Sequence, residues 1–92
     1  FLKSIALGAI GDCFSELNQL NEALEYYEKS FNSTENLYTS PKFLYKAAIV
    51  GSQIGKNRLA IKYLQRIKED FPDSHEATFV DVQLGRLENI GN

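Results

Sequence analysis

Apolar residues recur at helical spacing along almost the whole chain. Leu7, Ile10, Phe14 and Leu17 are separated by three, four and three positions, and Leu20, Leu24, Tyr27 and Phe31 by four, three and four. Such spacing lines one face of a helix. It predicts two amphipathic helices joined by a polar corner at Asn18 and Gln19. The run Asn32-Ser33-Thr34-Glu35-Asn36 is polar and poor in helix formers, so a loop is expected there. Ser40-Pro41 reads as a helix start, with Ser40 as N-cap and Pro41 at the first helical position, where a missing N–H costs nothing. The third helix then carries Phe43, Leu44, Ala47, Ala48 and Ile54 and stops at Gly55, which is free to turn left-handed. Asn57 is expected to cap a fourth helix with the apolar face Leu59, Ala60, Tyr63, Leu64 and Ile67. Phe71-Pro72 ends it, because the residue before a proline avoids helical geometry. Asp73 or Ser74 opens a fifth helix, striped by Ala77, Val80, Leu84 and Leu87, with Glu76 placed for a capping box if Asp73 is the cap. Period-two alternation is absent, so the fold class is all-α.

The first two helices overlay on the next two when Ala23 is set on Ala60, an offset of 37 residues. Leu7-x-x-Ile10-Gly11-x-x-Phe14 then falls on Leu44-x-x-Ala47-Ala48-x-x-Gly51, and Ala23-x-x-x-Tyr27 falls on Ala60-x-x-x-Leu64, with Pro72 downstream. Gly11, Ala23, Ala48 and Ala60 are small where paired helices must approach, and Leu7, Phe14, Leu24 and Tyr27 are bulky around that contact. This pattern, strongest in Ala-Leu-Glu-Tyr-Tyr-Glu-Lys-Ser at 23–30, resembles the tetratricopeptide repeat. The resemblance runs from about Ile5 to Leu87. It implies a right-handed superhelix of about five antiparallel helices in one domain over 1–92: repeat one at about 4–36, repeat two at about 40–73, and a capping helix at about 74–89. The offset exceeds the family's period of about 34 residues, and the surplus is expected in the 32–40 loop. Glu35 stands where a closing proline would fall. Gly51 replaces the usual aromatic, which predicts a looser second pair.

Composition narrows the chemistry. Ten Lys and Arg against twelve Asp and Glu leave a formal charge of −2, the wrong sign for a nucleic-acid partner. One Cys and one His cannot build a disulfide, a thiolate cluster or a His-rich metal site, so no metal or cofactor is expected. The six glycines never form a phosphate-cradling loop. No apolar run reaches the roughly 18–20 residues of a membrane span, so no direct membrane contact is expected of this segment. Nucleophile, base and orienting group never occur as a set, which argues against an enzyme. The absence of Met and the start at Phe1 suggest part of a longer protein. Cys13, on an apolar helix with no basic neighbour within a turn, reads as a buried small hydrophobe, and His75 as a surface residue. Asp70, Asp73 and Glu76 sit where caps and helix N-termini favour carboxylates rather than as a metal site. Glu22, Glu25, Glu28 and Lys29 read as a solvated face. Tyr27 is expected in the core, with Tyr26 at the seam between repeats.

The resemblance implies a non-enzymatic scaffold or adaptor that binds a protein or peptide on the concave face lined by the first helix of each pair. Carried over position by position, that face would comprise Ile5, Asp12, Ser15 and Glu16, then Lys42, Tyr45, Ile49 and Gln53, then Phe79, Gln83 and Arg86. Lys42 and Lys46, one turn apart, could serve one half of a carboxylate clamp of the kind some members use, but the clamp is not expected, because Gly8 and Asp12 stand where Lys and Asn are wanted and Asp12 would repel a carboxylate. The alternative is self-association into a homo-oligomer through exposed apolar surface. Ala6-Leu7-Gly8-Ala9-Ile10-Gly11-Asp12-Cys13-Phe14 and Ile67 to Ser74 are also similar to the C-terminal repeats of bacterial tetratricopeptide proteins. That similarity implies a soluble domain tethered to the inner membrane by an N-terminal segment outside this chain.

Overall fold

The computed structural model describes residues 1–89 and contains five helices, α1 (Leu2–Glu16), α2 (Leu20–Ser33), α3 (Thr39–Gln53), α4 (Asn57–Asp70) and α5 (Ala77–Asn89). No strand occurs among the described residues, and positions 90–92 of the expected 1–92 domain lie outside them. Each helix packs on the next in chain order, and α1 also touches α3. The result is a slab measuring 36 × 30 × 16 Å.

Two corners fold the pairs shut by the same device. Asn18 (φ 59) and Gly55 (φ 85) are left-handed, the amide of the following residue reaches back to Phe14 O or Gly51 O, and their own amides bond Ser15 O or Ser52 O. This six-to-one plus five-to-two pattern is the Schellman ending. The corners stand 37 residues apart, the same offset that overlays Ala23 on Ala60.

The starts of the helices differ from expectation. Asn36 rather than Ser40 opens α3: its Oδ1 accepts the Tyr38 and Thr39 amides at 3.0 and 2.6 Å, while Ser40 Oγ accepts the Asn36 amide. The two polar side chains thus cap reciprocally, one turn upstream of the proline. Pro41 still lies in the first turn, where no amide is missed. Asn57 is the first residue of α4 and makes no cap; the carbonyl of Lys56, delivered by the Gly55 corner, receives the Ala60 amide. α5 begins at Ala77 instead of 74, after turns closed by Ser74, whose Oγ and carbonyl both accept the Ala77 amide. Asp73 does not cap this helix.

The core follows the apolar stripes of α2 to α5: Ala23, Leu24, Tyr27 and Phe31 meet Phe43, Leu44, Ala47 and Ala48, then Ala60, Leu64 and Ile67, then Val80 and Leu87. α1 departs from its stripe. Its buried residues are Ser4, Gly8 and Gly11, Leu7 and Phe14 are half-buried, and Ile10 and Leu17 remain 40% and 65% exposed. The line of small residues wins the contact face because it brings the α1 backbone against large partners. A Cβ on Gly8 would overlap the Phe43 ring, and one on Gly11 would come 2.6 Å from Tyr27 Cδ1. Ser30 Oγ donates to Ser4 O, and the Ser4 and Ser33 hydroxyls lie 3.0 Å apart, so the polar members of this seam are satisfied.

That rotation of α1 corrects two further expectations. Cys13 is exposed rather than buried. Tyr26 stacks on Phe14 with ring centroids 5.6 Å apart, inside the first pair rather than at the seam between pairs. At Gly51, in the place of the usual aromatic, an added Cβ would meet only Lys56 O, at 3.8 Å.

Candidate functional site

α1 and α3 lie side by side and leave an open groove of about 500 Å3, backed by Tyr27 of α2. Helical spacing puts Asp12, Ser15 and Glu16 on one wall, and Tyr45, Ile49 and Gln53 on the other. Six of the expected concave residues therefore meet in one place.

The others are dispersed. Phe79 of α5 extends the Tyr45 wall, at 6.1 Å between ring centroids, and carries His75 edge-on at 5.1 Å. Gln83 and Arg86 bond each other on the exposed surface of α5. Lys42 is exposed, with its ammonium 5.5 Å from the Phe43 ring centre, and Ile5 lies outside the groove lining.

Tyr27, expected in the core, and Lys46, weighed from the sequence only as part of a carboxylate clamp, also line it. Tyr27 Oη donates to Asp12 Oδ1 at 2.7 Å and Lys46 Nζ donates to the same oxygen at 2.8 Å. One carboxylate thus ties α2 and α3 to α1. Burial first, and then the Asp12 bond, push the Tyr27 phenol far above its ordinary range, so it stays a donor. The sequence signal for Lys46 is its place one helical turn before Ile49 and Val50, with a sign opposite to Asp12. A second phenol–carboxylate pair, Tyr63 to Glu28, holds α4 to α2 away from the groove, and its phenol is raised for the same two reasons.

Charge in the groove is uneven. Lys46 is engaged by Asp12, whereas Glu16 has no ion-pair partner among the described residues. The last turns of α1 and α3 both border this end, and neither contains a basic residue. Their terminal carbonyls add partial negative charge there.

No cluster of three or more metal-ligating side chains occurs among the described residues, where Asp70 instead pairs with Arg66 at 3.6 Å. Nor is any described helix long and apolar enough to cross a membrane.

Stacked helix pairs with matching corners and a groove between first helices define an all-α helical repeat. Within it, residues 43–74, about a third of the chain, match the family model described as tetratricopeptide repeat. This segment is similar to a tetratricopeptide repeat, the five helices without strands among the described residues are consistent with the all-α fold of that repeat, and such repeats generally serve protein–protein interaction rather than catalysis. No curated protein and no solved structure gave a match to the chain.

Proposed function

We propose that the chain is a non-enzymatic docking module that holds an extended or helical peptide in the groove between α1 and α3. The observation that carries this is the juxtaposition of Tyr45 and Ile49, half-exposed apolar side chains, with the polar wall Asp12, Ser15 and Glu16. A few apolar anchors beside polar groups that fix orientation are what peptide recognition needs. The first pair is proposed as a repeat of the same kind on the strength of its matching corner. Peptides selected by display on the intact chain are expected to lose binding to Tyr45→Ala while the helical circular dichroism stays unchanged. Selected peptides indifferent to both Tyr45→Ala and Ile49→Ala would place the binding surface elsewhere.

Self-association is the second reading, and it rests on the outward face of α1, where Leu2, Ile5, Ile10, Cys13 and Leu17 are all exposed. Sedimentation over a wide concentration range separates the two: mass that rises with concentration and is abolished by Leu17→Lys favours assembly. The setting in an inner-membrane-anchored bacterial protein is proposed on the resemblance alone.

A further inference from the structure

We infer that the groove selects a cationic side chain, a Lys or Arg of the partner segment, at the end where α1 and α3 terminate. This deepens the proposed docking function and rests on it. Three observations converge on that end. Glu16 supplies a carboxylate that no basic group of the described chain engages, while the one lysine in the lining, Lys46, is already bound to Asp12 at 2.8 Å. The last turns of α1 and α3 end there with no basic residue in either, so the peptide dipoles of both helices point their negative ends at this place even though the Schellman corners bond most of the carbonyls. Helix C-termini favour cations over anions. Finally, Tyr45 and Ile49 offer an apolar strip on the facing wall. An aliphatic stem can lie on that strip while its charged head stays near Glu16, partly hydrated, as long basic side chains prefer. A carboxylate in the same position would meet the Glu16 charge and the negative ends of two helix dipoles, and Lys46 would have to be taken from Asp12 to offset it.

The test uses acetyl-Leu-Arg-Leu-amide, acetyl-Leu-Gln-Leu-amide and acetyl-Leu-Glu-Leu-amide at millimolar concentration, titrated into the 15N-labelled chain at low salt. Expected are shifts of the Ser15, Glu16, Ile49 and Gln53 amides, with the arginine peptide binding about fivefold more tightly than the glutamate peptide, as for a partly exposed ion pair. The preference is expected to shrink in 0.5 M salt, where screening acts over only a few ångströms. In Glu16→Lys, an exposed substitution, the ranking of the arginine and glutamate peptides is expected to level or invert. Equal binding of all three peptides at these amides would overturn the charge selection and leave the groove as a docking site. Shifts confined to other residues, or none at all, would overturn the docking proposal and the charge selection together.

Discussion

Gly8, Gly51 and Gly85 all lie inside helices, yet a methyl group would meet three different surroundings. At Gly8 it would strike the Phe43 ring, at Gly51 it would find one carbonyl at ordinary contact distance, and at Gly85 it would face open space. Helix propensity favours alanine over glycine by roughly 0.5–1 kcal/mol wherever nothing opposes it. Gly85→Ala is therefore expected to stabilise the domain by about that amount in urea denaturation. Gly8→Ala is expected to destabilise it by about 1–3 kcal/mol, since overpacking outweighs propensity. Adding Phe43→Leu should return part of the loss, because the two sites share one contact and their effects are coupled. If Gly8→Ala proved stabilising, the seating of Phe43 on α1 would be wrong. Hydrophobic spacing alone could not reveal this contact, because it scores glycine as empty. What betrays it is the series Ser4, Gly8, Gly11, small residues at intervals of four and three.

At the scale of elements, four of the five helices could be read from their stripes with nearly the observed core, because α2 to α5 bury their large apolar side chains on one face. α1 could not. Its large residues flank a narrow seam of small ones, so the stripe through Ile10 and Leu17 selects the wrong face and Cys13 is misplaced with it. Capping was half legible for a related reason. Ser40 is legible as a capping residue, but the acceptor for the α3 amides is Asn36, whose reciprocal bond with Ser40 depends on the turn at Leu37 and Tyr38. Asn36→Ala is expected to cost about 1 kcal/mol, a typical loss for an N-cap, measured as a lower denaturation midpoint at unchanged slope. Lys68 and Asp81, by contrast, join α4 to α5 through an exposed pair at 2.8 Å. Asp81→Asn is expected to change stability by less than about 0.5 kcal/mol, and high salt should erase even that difference.

The whole molecule is fastened across its helix pairs by two phenols, Tyr27 on Asp12 and Tyr63 on Glu28. Both phenols are raised, chiefly by burial. In the unfolded chain they ionise near their ordinary value of about 10, below the folded value. Their stabilising contribution is therefore fully present below that pH and is lost as pH rises above it, where the unfolded state gives up protons first. A thermal melt series is expected to show the midpoint falling as the pH is raised beyond about 10. Ultraviolet absorbance should show less phenolate than the five tyrosines of the chain can yield until the domain opens. A full yield from a chain that is still helical would contradict the buried phenols. The groove was visible in the sequence to the extent that helical spacing aligns Asp12 with Glu16 and Tyr45 with Ile49. The three-helix meeting of Asp12, Tyr27 and Lys46 was not, because it depends on how the pairs stack. The matching corners at Asn18 and Gly55 carry a consequence for lineage. Backbones that leave one helix and enter the next in the same geometry are interchangeable crossover points. A recombination joining residue 18 to residue 56 would delete one whole unit without breaking a turn, setting Ala60 against Gly11 where Ala23 now lies. The reverse exchange would add a unit, so such a protein can change its length in whole helix pairs while each join remains a working corner.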